Sequence, residues 1–207
     1  MHALRGCCVS SSEYTIHPLR ERVNKMELMD AVKGRRSIRK YQDKPVTKQL
    51  IQEVLEAGTW APSAKNGQQW RFTVLTGKSK DDFTSFFQRT LDAHIKEHGE
   101  DTTGSALYSC TVMKKSPVLI MVWNAGEWNH VVEEHSVAAA IQNMLLRAHE
   151  LGLGSLWMAD IIYGKKALEE HLEKTWSLSA AVALGYPDGE GSIPPKMTVE
   201  EVTEFKE

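Results

Sequence analysis

Apolar positions recur along the chain at two spacings, and these assign most of its elements. Met26, Met29 and Val32 follow helical spacing, which predicts a short helix ending at Lys33-Gly34 with Gly34 as its C-terminal cap. Lys44-Pro45 breaks the next segment. Thr47 then stands as the N-cap of a helix whose apolar face is Leu50, Ile51, Val54 and Leu55, ending at Gly58. Phe72, Val74 and Leu75 predict a strand that stops at Gly77. The continuous apolar run from Pro117 to Trp123 is the pattern of a central strand covered on both faces. From Glu133 to Leu151 runs the longest predicted helix. Val137, Ile141, Met144, Leu145, Ala148 and Leu151 line its apolar side, Ala138 to Ala140 are small enough to admit a neighbouring helix, and Gly152 takes the position just past the end. Ser155 to Met158 predicts a short extended segment, Lys165 to Leu172 a brief helix, and Ala180 to Leu184 a strand closed by Gly185-Tyr186-Pro187.

Two regions are less legible. Within residues 78–116, Phe83, Phe86, Phe87 and Leu91 fit one helical face, but the chain is polar from Glu97 to Gly104 before resuming at Leu107-Tyr108. A mobile cap over a site and a plain surface helix are equal readings of that stretch. Pro194-Pro195 extends the tail, and Thr198 to Phe205 reads as an edge strand or a segment exchanged with another chain. There are no internal repeats and no regular strand–helix–strand alternation. The order of elements predicts an α+β fold, a three-layer α/β/α arrangement, in place of a doubly wound nucleotide fold.

Composition narrows the function classes. The 207 residues suit one compact domain, and a net charge of −2 gives no large basic field for nucleic acid, so any cationic site must be local. No apolar run approaches the roughly 18 residues of a membrane helix. Leu4-Arg5-Gly6-Cys7 faintly matches a lipoprotein cleavage site, but only six residues precede the cysteine, so secretion is rejected. The three cysteines, Cys7, Cys8 and Cys110, form no disulfide framework, which points to a reducing cytoplasm. Residues 1–25 carry no period and are expected to be a disordered leader, or an N-terminal extension from a start codon chosen upstream of Met26, ahead of a single domain at 26–207.

The chemistry concentrates between Gly34 and Phe72. Arg35, Arg36, Arg39 and Lys40 surround Ser37 in a local basic cluster that suits a phosphate, because arginine forms forked, charge-assisted bonds to it. From the residues alone a solvated basic turn is the commoner case. A helix later comes the polar loop Ala61-Pro62-Ser63-Ala64-Lys65-Asn66-Gly67-Gln68-Gln69, stiffened by proline and rich in hydroxyl and amide groups, leading into Trp70-Arg71-Phe72. The run Leu151-Gly152-Leu153-Gly154-Ser155 follows the long helix.

These pieces, in this order and at this spacing, resemble the nitroreductase family of FMN-dependent NAD(P)H oxidoreductases, from about Met26 to the C-terminus. One departure is visible, in that Gln69 stands where the family usually has proline. The resemblance implies a mixed, mainly antiparallel sheet flanked by helices, in an intertwined homodimer with two sites at the interface. It implies FMN as cofactor and NADH or NADPH as a transient reductant, with hydride passing through the flavin to a nitroaromatic or quinone in a ping-pong sequence. Arg35, Ser37 and Arg39 would then meet the phosphate and ribityl chain, with Arg36 a weaker candidate and Lys196 a loosely placed one. Pro62, Ser63, Ala64 and Asn66 would contact the flavin of the partner subunit. The backbone N–H near Ala159 would meet the flavin N5, flanked by Trp157 and Asp160. No side chain need act as acid or base.

Other readings stay open beside it. Family relatives dehalogenate or desaturate small molecules; Glu97, Tyr108 and Lys114 are present but do not line up with a deiodinase lid. A flavin-binding module without catalysis is another. His94-Ile95-Lys96-Glu97-His98 matches the H-x-x-E-H pattern of a zinc hydrolase, although a solvated helix end is much the commoner origin of such a match. Gly152-Leu153-Gly154 lacks the third glycine of a dinucleotide fingerprint.

Overall fold

The computed structural model describes residues 26–99, 102–127 and 131–206, so the leader predicted for residues 1–25 lies outside the described residues. In chain order the elements are α1 (Leu28–Gly34), α2 (Lys48–Thr59), β1 (Trp70–Thr76), α3 (Gly77–His98), α4 (Ala106–Lys115), β2 (Val118–Asn124), α5 (Val131–Glu150), β3 (Gly154–Met158), α6 (Lys165–His171), β4 (Ser177–Gly185) and α7 (Val199–Val202), with 3₁₀ turns at Ala64–Asn66 and Asp160–Gly164. The four strands form one sheet of order β1-β2-β4-β3, and every pairing between named strands is antiparallel. The sheet is therefore antiparallel and not mixed, and the one parallel contact among the described residues is an isolated bridge from Ser37 to Ser155, which sets the basic segment beside the outer edge of β3.

The sheet carries a core on each face, as the three-layer reading requires. On one face Leu119, Met121, Trp123, Leu156 and Met158 pack beneath α3 and α4 through Phe83, Phe87, Leu91 and Met113. On the other, Ile120, Val122, Ala180 and Val182 pack beneath α2 and α5 through Ile51, Val54, Ile141 and Met144. All seven residues of β2 are buried, as its unbroken apolar run predicts.

Helix ends follow local chemistry. Thr47 accepts from Leu50 N–H, the predicted N-cap of α2. After α5, Gly152 has φ +73°, its N–H meets the His149 carbonyl at 2.9 Å and Leu153 N–H meets Ala148 at 2.8 Å, a Schellman ending. Gly34 differs from expectation. It is the last residue of α1 and not a left-handed cap; an added Cβ would stand 2.5 Å from Nε2 of His149, so glycine is needed there for close approach to α5. The tail is also corrected. Thr198 and Glu201 form a reciprocal capping box that starts α7, in place of a strand. The T-x-x-E signal was there to be read. Part of the small-residue surface of α5 is used inside the chain, since Gly58 of α2 packs against Met144 and the Ala140 carbonyl.

Candidate functional site

The basic segment is fixed by backbone bonds on both sides. Ile38 N–H donates to Ser155 C=O at 3.0 Å, Asp188 N–H to Lys40 C=O at 3.0 Å, and Gln42 N–H to Tyr186 C=O at 2.9 Å. Two glycines admit it. A Cβ at Gly154 would lie 2.7–2.9 Å from Ile38, and one at Gly185 would meet Tyr41 at 2.8 Å. The Tyr41 hydroxyl donates to Ile38 C=O at 2.8 Å, and burial pushes its ionisation well above the ordinary phenol range, partly offset by Arg39, so it stays a neutral donor.

The arginines have distinct partners. Arg36 bonds the Lys33 and Arg35 carbonyls and so closes α1. Arg39 bonds the Ser37 carbonyl at 3.0 Å. Among the described residues the Arg35 guanidinium has no hydrogen bond, and no carboxylate pairs with Arg35, Arg36, Arg39 or Lys40. The segment parts two grooves. One of about 450 Å³ is lined by Arg35, Arg36, His149, Leu153, Ser155 and Ile193. The other, of about 270 Å³, is lined by Ser37, Arg39, Lys40, Tyr108 and Ser192 among others, while Ile38 and Glu190 border both. The imidazole of His149 is held below its usual range by desolvation first and then by Arg36 and Arg35.

At the far end of β3, Trp157 is 38% exposed, and no acceptor is bonded to the exposed Ala159 N–H among the described residues. The Asp160 carboxylate accepts from Ser105 Oγ and Ser109 Oγ, each at 2.6 Å, with its other oxygen buried and unpartnered. Asp160 therefore pins the start of α4 to the end of β3. These two serines were not legible in the sequence, because they lie more than fifty positions away from Asp160.

The Pro62–Gln69 loop is held in an unusual conformation. Lys65, Asn66 and Gln68 have φ of 52°, 53° and 45°. Asparagine tolerates that region, but Lys65 and Gln68 each carry a cost on the order of 1–2 kcal/mol. The loop is tied down by Ala64 N–H to Ser136 Oγ and Gln68 N–H to Ser63 Oγ, both at 3.1 Å. Gln69 lies buried beneath it, its amide 3.5 Å from the Ala64 carbonyl and its Oε1 without a partner. Strain of this kind clusters at binding sites. Pro62 and Asn66 are exposed, and the Asn66 side chain is free of protein partners.

The sequence-derived site residues thus fall into three groups within one chain: the basic segment beside the start of β3, Trp157 to Asp160 at its far end, and the loop. Arg35 and Arg36 share a groove with His149 at the C-terminal end of α5, Ser37 and Arg39 line the neighbouring groove, and the loop bonds Ser136 near the N-terminal end of α5. Thirteen residues of helix separate those points, about 20 Å. Lys196 is exposed on the tail and borders neither groove.

A model of the nitroreductase family matches residues 32–186, most of the described chain. The chain belongs to the nitroreductase family. A Methanothermobacter thermautotrophicus relative, provisionally named NADH dehydrogenase/NAD(P)H nitroreductase, is 30% identical over 183 residues, covering 84% of this chain and 83% of that protein. Among solved structures, a provisionally assigned Desulfovibrio desulfuricans nitroreductase in complex with FMN is 29% identical at a TM-score of 0.71, covering 89% of this chain and 99% of that one. A nitroreductase-like family protein from Bacillus cereus has the same fold, with a TM-score of 0.76 at 22% identity, over 90% and 99% of the two chains.

Within this nitroreductase, the buried Gln69 amide lies beneath the loop, against the Ala64 carbonyl. The H-x-x-E-H stretch closes α3, with the His94 and His98 rings 4.6 Å apart and Tyr163 packed 6.3 Å from His94. Among the described residues no group of three or more His, Cys, Asp or Glu could hold a metal ion. No helix among them is long and apolar enough to cross a membrane.

Proposed function

We propose that this nitroreductase is an FMN-dependent oxidoreductase that uses NADH or NADPH to reduce an electron-poor acceptor such as a nitroaromatic or quinone. The observation that carries the reading is the placement of an unpaired Arg35 and the Ser37 hydroxyl beside the start of β3, with the free Ala159 N–H at its other end. Ser155 and Ala159 are four extended residues apart, about 13 Å, so the two donor sets can serve the phosphate and the ring of one mononucleotide. FMN, when bound, supplies the centre that takes hydride from the reductant and passes it to the acceptor in a ping-pong sequence.

The chain's own residues do the rest. Arg35 offers a fork to a phosphate dianion, Ser37 adds a hydroxyl, and Arg39 extends the cationic edge, its guanidinium oriented by the Ser37 carbonyl. The Ala159 N–H offers a fixed donor, because Asp160 locks the turn that follows it. Arg36 acts in this reading by closing α1 and holding Arg35 in place.

The loop at Pro62, Ser63, Ala64 and Asn66 serves the site of a second copy. A separation of about 20 Å along α5 keeps it from the Arg35 groove of its own chain, while its strained backbone and free amide are those of a contact surface. Exposed apolar side chains supply the area for such a dimer, with Leu28 at 69%, Trp60 at 73% and Phe205 at 85% exposure. An exchanged tail would also bring Lys196 to the partner.

The test is the absorbance spectrum of the purified protein, followed by anaerobic addition of NADH and then NADPH, with sizing chromatography read at flavin and protein wavelengths. Arg35→Ala should weaken FMN about tenfold to a hundredfold, the size of a lost charge-assisted bond. A colourless protein that binds no added FMN would overturn the assignment. A monomer with stoichiometric flavin would overturn the shared site.

A further inference from the structure

A third cavity, of about 490 Å³, lies beyond Lys40, where the basic segment meets the end of α4. Lys40, Lys80, Lys114 and Lys115 line it, with Asp43 and Asp188. Lys80 is 6% exposed, and burying an ammonium group is costly unless its donors are met. Two of the three donors are met, by the Lys114 carbonyl at 2.9 Å and Asp81 at 3.0 Å. Lys114 bonds Gln88 at 3.1 Å, whereas the Lys40 and Lys115 ammonium groups make no hydrogen bond or ion pair among the described residues. Closing the C-terminal end of α4 accounts for Lys80 and Lys114. It does not account for Lys40, which arrives from a separate segment and lines the same cavity. Lys40 and Asp188 also line the groove of Ser37 and Arg39, so the two cavities adjoin.

Clustered ammonium groups suit a phosphate through charge-assisted bonds, and a neighbouring carboxylate suits a ribose hydroxyl that carries no phosphate. We infer that this cavity binds a ribose phosphate, and that its source is the adenosine 2′-phosphate of NADPH, so that the cluster selects NADPH over NADH. The selection rests on the oxidoreductase reading above; the phosphate site itself does not. Lys115 is the best probe, because it is exposed, unpaired and lines neither of the other two grooves.

The experiment is calorimetric titration of the full chain with adenosine 2′,5′-bisphosphate and with adenosine 5′-monophosphate, in the parent, Lys115→Ala and Lys40→Ala. The bisphosphate should bind at least about tenfold more tightly than the monophosphate, and each variant should lose about tenfold to a hundredfold of that affinity. Equal binding of the two nucleotides, or unchanged affinity in both variants, overturns the site. In steady-state kinetics, Lys115→Ala should raise KM for NADPH by a similar factor while kcat and the NADH parameters hold. If Lys115→Ala loses the bisphosphate but keeps the parent's NADPH-to-NADH preference, the reductant assignment is overturned and a free nucleotide is the source. The titration needs no flavin, so failure of the FMN reading would show separately as a colourless protein.

Discussion

Gly154→Ala is the sharpest perturbation of the site, because it touches no residue proposed to meet a ligand. Its Cβ would stand 2.7, 2.8 and 2.9 Å from Cγ2, Cβ and Cγ1 of Ile38. Separations below 3.0 Å force a shift, and the Ile38 Cβ cannot move without its backbone. That backbone is the segment carrying Arg35, Ser37 and Arg39, held to β3 by the 3.0 Å bond from Ile38 N–H to Ser155. Overpacking of this kind costs about 1–3 kcal/mol, and loss of the bond adds about 1 kcal/mol. The sheet itself need not fail, since β3 keeps its register with β4 from Gly154–Gly185 to Met158–Ala181. The expected result is a folded protein whose FMN affinity falls by about tenfold or more, read by flavin fluorescence titration beside a thermal melt. Ile38→Gly removes all three clashing atoms, so Gly154→Ala/Ile38→Gly should recover a large share of the affinity. Parent-like binding by Gly154→Ala, or a double variant no better than the single, would refute the claim that this contact seats the phosphate segment.

Three further outcomes follow from particular contacts. His149 has a depressed folded pKa, so below about 6.5 the unfolded chain takes up a proton that the folded chain resists, and stability falls as pH drops through that value. An NMR titration should show its imidazole below 6.5 without ligand and higher once an anion offsets Arg36 and Arg35; titration at or above 6.5 in the free protein would contradict this. Arg147, bonded to Glu53 of α2 and to Glu150 at 2.6 Å, ties α2 to α5, so Arg147→Met, which leaves both carboxylates without that partner, should cost about 1–3 kcal/mol in urea unfolding, and a change within error would mean that the clamp is idle. Cys110 is fully buried, with burial raising its thiol first, so it should resist alkylation in the native protein; modification at the rate of a free thiol would show that α4 opens.

Elements with strong periodicity were legible from the chain alone. The run from Pro117 to Trp123 has the pattern of a covered strand, and the α5 stripe with Gly152 past its end marks both the helix and where it stops. Gly34 was legible as a constraint but not as the right one, because a cap and a close approach both call for glycine, and His149 is far away in sequence. The tail shows a different limit. Thr198 to Glu201 carries an explicit helix start, yet four residues of helix bury nothing, so apolar content suggested a strand. The basic cluster was visible, but its internal division was not. Whether Arg35 or Arg36 is free depends on which guanidinium reaches the Lys33 carbonyl, a matter of backbone direction after α1.

The loop at Lys65 to Gln68 shows why the site needed three dimensions. Nothing in Lys-Asn-Gly-Gln demands left-handed backbone at Lys65 and Gln68, and glycine between them takes an ordinary φ of −72°. The conformation is imposed from outside, by Ser136 from α5 holding Ala64 and by Gln69 folding beneath the turn. A Cβ at Gly67 would stand 2.4 Å from the Gln69 amide nitrogen, so the glycine is there to let the glutamine in. Gln69 and Gly67 are therefore one device. Gln69→Ala should remove the clash with the amide at position 67 and the buried unpartnered Oε1 together, at the loss of the weak 3.5 Å bond to Ala64. A buried unsatisfied oxygen costs about 1–3 kcal/mol. If the loop keeps its shape, the variant should tolerate Gly67→Ala better than the parent, as read by thermal melts of the four proteins. A Gln69→Ala protein that remains as intolerant of Gly67→Ala would show that the loop is set by something other than the glutamine beneath it.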